Sequence, residues 1–335
     1  MYDYFEVDDF ARSCFESCLA YLNRDLSNYC GKRLDVQYKT GMEKNEVNAA
    51  ADLIEKNKYL VTVEIVAINQ IISLYTNLLH QPLFYKGVTG KYDEEEYDEK
   101  LAFDIAIFLS YITLKMIIFH ELGHIFNGHI DYIKHCIQND EGYSLRNRIE
   151  TARPFLEEKL WQSLEWNADD FSANRIIGQV LCKDNLAKWT FIQDAGHALF
   201  LTEIAAVGMF TIMGMSYECT EIEKKIFKEK EHLPLRFRMN QFISNLYNVA
   251  NAVGYEYSYN PVRLMPVLHL IEEECVAYLV EVQEKNPEEW SSFSNLEELD
   301  DEHRKYYSEV FDFYKNNLVN VLKGYAYFNV LKLEK

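Results

Sequence analysis

The chain has 335 residues, 48% of them apolar and 14% aromatic, which excludes a disordered or low-complexity protein and suffices for one large core or two smaller ones. Its 53 acidic residues outnumber 34 basic ones, for a formal charge of −19. That balance repels phosphate backbones and anionic lipid, and so excludes a general nucleic-acid binder.

The first ten residues are acidic and lack a basic stretch ahead of an apolar one, which predicts no secretory signal and a cytoplasmic protein. The seven cysteines are scattered without a Cys-x-x-Cys pair and read as reduced thiols. Cys14 and Cys18, one helical turn apart, fit as two small core residues.

Thirteen Gly and six Pro are few for a turn-rich sandwich or barrel and predict a mainly helical chain. Residues 1–30 carry apolar groups at helical spacing, and residues 33–38 and 59–65 alternate as strands do. The pattern turns helical over 67–79, is broken at Pro82, Gly87 and Gly90, and passes through an acidic run at 93–99 that reads as a solvated loop entering a helix. Residues 101–130 predict a helix through the core, 138–153 a loop, 155–181 and 190–216 two further helices. The charged stretch 221–231 reads as a linker or exposed helix, and the remainder as helices broken at Pro261, Pro266 and Pro287. The class expected is mainly α with a small β-sheet (α+β): a helical extension over 1–40, a core over 41–240 and a helical region over 241–335.

Two apolar stretches are long enough to weigh as membrane spans. Residues 101–119 contain Asp104 and Lys115, and residues 198–217 contain Glu203. A charge at mid-membrane costs about 2.5–3.5 kcal/mol, so buried helices are expected and a membrane partner is not.

The chemistry is concentrated in His120-Glu121-Leu122-Gly123-His124. On a helix, residues four apart share a face, so the two imidazoles can reach one Zn2+ while Glu121 stands beside it as a base. A catalytic zinc needs a third ligand and an open position. The metzincin extension is excluded, because Asn127 and Ile130 stand where its glycine and third histidine belong. His129 is about 140° round the helix from His124 and cannot join the same ion while that helix continues, which leaves it a role at the helix end or behind a ligand. Glu165 and Asp169, one turn apart on a later helix, supply the better pair: Glu165 as ligand, Asp169 accepting a hydrogen bond from the far nitrogen of a ligating imidazole. Small Ala168 lets that helix approach the first.

This constellation, His-Glu-Leu-Gly-His followed some forty residues later by Glu-x-x-Ala-Asp, resembles the gluzincin metallopeptidases, among them the ImmA/IrrE-like, Lit-like phage-exclusion and HtpX-like families. Residues 47–51 followed by 59–72 are similar to the Asn-Ala strand and strand-to-helix passage of HtpX-like folds, which implies a zincin-like core and a strand edge for an extended peptide. His232-Leu233-Pro234-Leu235-Arg236-Phe237-Arg238 resembles the His-Pro and Arg segment near the cleft in those families. The resemblance implies a zinc endopeptidase acting on a restricted intracellular protein, in phage defence or stress regulation, with the acidic loop or the C-terminal region as a place for an activating protein or peptide. His232 is the candidate for stabilising the oxyanion as a catalytic residue beside Glu121, with Arg236 or a tyrosine as substitutes. A non-catalytic, zinc-containing regulatory protein is the alternative, and the base at Glu121 argues against it.

Overall fold

The computed structural model describes residues 4–42, 48–55, 57–90, 97–137, 158–182, 187–216, 233–255, 261–281 and 301–328. The expected loop at 138–153, the stretch 221–231, most of the acidic run and the break at Pro287 lie outside them.

Helix α1 (Tyr4–Cys30) turns Val7, Ala11, Cys14, Phe15, Cys18, Leu22 and Leu26 inward, a stripe at spacings of three and four residues. Three strands follow: β1 (Asp35–Gly41), β2 (Ala49–Glu55) and β3 (Lys58–Glu64). They form one sheet in the order β1-β3-β2, with β1 parallel and β2 antiparallel to β3. The first strand starts two residues later than the alternation predicts. The side chain of Asn23 holds both backbone groups of Leu34, at 2.8 and 3.1 Å, and so ties that residue to α1 instead of the ladder.

Helix α2 (Ile65–His80) leads into α3 (Pro82–Thr89), where the sequence predicts a break. Pro82 sits in the first turn of α3, where a missing N–H has no helical partner to lose. Helix α4 (Glu99–Phe126) starts at Asp98, whose carboxylate accepts from the Leu101 amide at 3.0 Å. It stops four residues short of the expected end. Gly128 adopts φ +76°, and a Cβ there would overlap the backbone of Tyr325 and Ala326, so only glycine fits this turn. A separate helix, α5 (His129–Ile137), begins at once.

The later helices are α6 (Glu158–Val180), α7 (Ala195–Ser216), α8 (Leu235–Ala252), α9 (Pro261–Glu281) and α10 (Asp301–Phe313), followed by a π-helical turn (Tyr314–Leu318) and α11 (Val319–Leu322). Helix α7 begins five residues later than predicted, because Asp194 caps it by accepting from the His197 amide at 2.7 Å. Pro266 does not break α9; the helix runs through it.

Helix α4 is the axis of the molecule. It packs against α1, α2, α6 and α7, and every residue from Ile112 to Phe126 is buried. By length and composition alone, α4 and residues 195–213 of α7 could each cross a membrane, yet 72% and 83% of their most apolar windows are buried inside the protein. Of the charges in these stretches, Lys115 bonds Ser17 and Gln179, and Glu203 accepts from the Tyr247 hydroxyl. The last described segment closes over the end of α4, where the Tyr327 amide donates to the Phe126 carbonyl.

Candidate metal centre

Helices α4 and α6 run antiparallel in close contact. A Cβ added at Gly123 would stand 3.3 Å from the Cα of Ala168 and 3.2 Å from the ring of Phe171, so the glycine–alanine pair sets the separation of the helices. Ser172 adds a hydrogen bond to the Met116 carbonyl at 2.7 Å.

This contact brings His120, His124 and Glu165 together, with one donor atom from each within 4.8 Å of the others. His120 Nε2 lies 3.2 Å from His124 Nε2 and 3.2 Å from Glu165 Oε2, and His124 Nε2 lies 3.4 Å from Glu165 Oε1. Ligands placed tetrahedrally about 2.05 Å from a zinc ion are about 3.3 Å apart. The separation of the two imidazoles and that of each imidazole from the nearer oxygen of Glu165 are close to that figure, the two imidazoles facing different oxygens of the carboxylate. Two imidazole nitrogens 3.2 Å apart need a proton or another cation between them, and a metal ion can take the place of the proton.

Both imidazoles are held from behind. His120 Nδ1 lies 2.9 Å from Asp169 Oδ1, and Asp169 in turn takes a two-pronged grip from Arg238, at 2.7 and 2.9 Å. Arg238, from α8, is 1% exposed and also lies 3.7 Å from Glu165. Behind His124 the structure places His129, for which the sequence left a role at the helix end or behind a ligand, together with Asn167 and Asn127. Asn127 Nδ2 donates to Asn167 Oδ1 at 2.8 Å, and the same oxygen lies 2.9 Å from His129 Nε2, which therefore carries that ring's proton. His129 Nδ1 is then an acceptor, 3.1 Å from His124 Nδ1. The proton of His124 is thereby fixed on Nδ1, and its Nε2 lone pair faces His120 and Glu165.

The electrostatics of the cluster favour a positive charge between these groups. Burial opposes protonation of His120, but the carboxylates of Asp169 and Glu165 outweigh it and raise its pKa to about 10. Burial drives His124 well below the usual imidazole value and lowers His129 to about 4. Glu121 is 8% exposed, and burial lifts its pKa to about 7. His120 and Arg238 pull it down, while the charges of Glu165 and Asp52 push it up. Asp52 lies on β2, so the edge strand of the sheet runs beside the base.

Of the residues selected from the sequence, His120, Glu121, His124, Glu165 and Asp169 thus meet between α4 and α6. His232 lies outside the described residues. Arg238 lies in the segment that the family resemblance pointed to, whereas His129 depends on the unforeseen turn at Gly128. No family model, curated protein or solved structure matches this chain.

Proposed function

We propose that this chain is a zinc-dependent endopeptidase that hydrolyses a restricted intracellular protein substrate. The observation that carries the reading is the convergence of two imidazoles, that of His124 with its tautomer fixed by His129 and that of His120 backed by Asp169, and one carboxylate, with a buried glutamate next to the first ligand. His120, His124 and Glu165 would hold the ion. When bound there, it supplies Lewis acidity toward water and toward a substrate carbonyl. Glu121 takes the proton of the attacking water as the new C–O bond forms, and passes it to the amine nitrogen as the C–N bond breaks. A pKa near neutrality suits a group that must both accept and return a proton. Strand β2, at the edge of the sheet beside Glu121, offers backbone groups to a substrate in extended form. His232 remains the residue proposed to steady the oxyanion, and phage defence or stress regulation the setting that the gluzincin resemblance implies.

The test compares wild type, His124→Ala, Glu165→Ala and Glu121→Gln. Metal analysis should find about one zinc per chain in wild type and in Glu121→Gln, and much less in the two ligand variants. Incubation with a proteome-derived peptide library, read by mass spectrometry, should give cleavage by wild type alone. Zinc retained in full by Glu165→Ala would reject the third ligand. Cleavage by Glu121→Gln at the wild-type rate would reject the base.

A further inference from the structure

A second site lies on the same helix pair, toward the start of α4. A cavity of about 320 Å³ opens between α4, α6 and the turn at 187–194. Phe108, Tyr111 and Trp189 form its aromatic wall, with Phe108 and Trp189 edge to face at 5.1 Å, and Ile112 and Ile192 add aliphatic surface. The size and lining are those of a small-molecule pocket.

One of the lining groups is Lys115, 3% exposed. Its ammonium donates to Ser17 Oγ at 2.8 Å and Gln179 Oε1 at 2.6 Å, and stands 4.3 Å from the centre of the Tyr111 ring. All three partners are neutral. No carboxylate among the described residues forms an ion pair with it. A cation buried among neutral described partners is costly, and the usual remedy is an anion in hydrogen-bonding contact. Lys188 lines the same cavity at its exposed side.

We infer that this cavity is a binding site for a small apolar carboxylic acid, whose carboxylate completes the ion pair of Lys115 and whose hydrocarbon body lies against Phe108, Tyr111 and Trp189. The inference is independent of the metal. Because Lys115 stands five residues before His120 on α4 and bonds Gln179 on α6, an occupant would bear on the two helices that carry the metal donors.

Calorimetric titration of the full chain with decanoate, decanol and decyltrimethylammonium tests it. Wild type should bind one decanoate per chain, at least tenfold more tightly than decanol, and should show no saturable uptake of the cation. Lys115→Met should erase the preference for decanoate over decanol. Ile192→Trp, which fills the cavity from the turn, should abolish binding of both, and it decides the matter if Lys115→Met fails to fold. The proposal is overturned if wild type binds no decanoate, if it binds decanoate and decanol equally, or if Ile192→Trp binds as wild type does.

Discussion

Nδ1 of His129 lies 3.1 Å from Nδ1 of His124, on the side of the ring opposite Glu165. A ligating imidazole is usually backed by a carboxylate or a carbonyl; behind His124, the proposed ligand, a second imidazole, itself fixed by Asn167, stands in that place. Loss of such a partner typically lowers metal affinity 10–100-fold. His129→Phe should therefore weaken zinc binding by about that factor in competition with a chromophoric chelator, while His129→Asn, which can still accept at a similar position, should recover part of it. Equal affinity in all three proteins would show that His129 only fills space.

The arginine on the other side makes a different kind of demand. Arg238 is the main counter-charge of Asp169, and both are buried. Removing one member of a buried pair leaves the other unpaired, at a cost of about 3–5 kcal/mol. Arg238→Met should lower the urea midpoint of the metal-free protein accordingly, and Arg238→Met with Asp169→Leu should be more stable than Arg238→Met alone, since the stranded charge has gone. A double variant as unstable as the sum of the two single ones would mean that the pair is not coupled.

How much of this could be read from the sequence follows from the range of each interaction. The faces shared by His120 with His124, and by Glu165 with Asp169, are set by helical periodicity, a local property, and they are found where that periodicity puts them. The arrival of α6 against α4 is hinted at by Gly123 and Ala168, whose small size matters only once the helices meet. For His129 the sequence offered a role at the helix end or behind a ligand but not which imidazole it backs, because that depends on the break at Gly128, whose close approach to Tyr325 and Ala326, almost two hundred residues away, belongs to the fold. The same holds for α3 and α9. Prolines mark helix ends only when their position within the turn is known, and Pro82 opens a helix while Pro266 lies inside one.

Gly123 can be set against a glycine with room around it. A methyl group at Gly123 meets Phe171 and Ala168 at 3.2–3.3 Å and must push α4 and α6 apart by a few tenths of an ångström, whereas nothing lies within 4 Å of one at Gly87, in α3. Gly87→Ala should raise stability by about 0.5–1 kcal/mol through helix propensity. Gly123→Ala should lower it and weaken zinc binding as well, because the donors on the two helices are moved apart. The melting temperatures and zinc affinities of both variants check this, and an equal rise in stability with unchanged affinity would remove the glycine from the account of the site.

Asp170 gives a dependence on pH that is separate from the metal donors. Burial, with the charge of Asp169 beside it, raises its pKa from the ordinary 3.8 to about 6, against the opposing effect of Asn174. Its side chain accepts from Asn245 at 2.8 Å. Between these two values the folded chain holds a proton that the unfolded chain has released, so this group's contribution is full below pH 3.8 and is lost as the pH rises through 6. Asp170→Asn keeps the acceptor and lacks the titration. The stability of the variant relative to wild type should therefore be about 2 kcal/mol more favourable at pH 8 than at pH 4, from urea unfolding at both values. If the two proteins shift in parallel, Asp170 keeps its ordinary pKa in the fold, and α6 is better hydrated at that point than its packing implies.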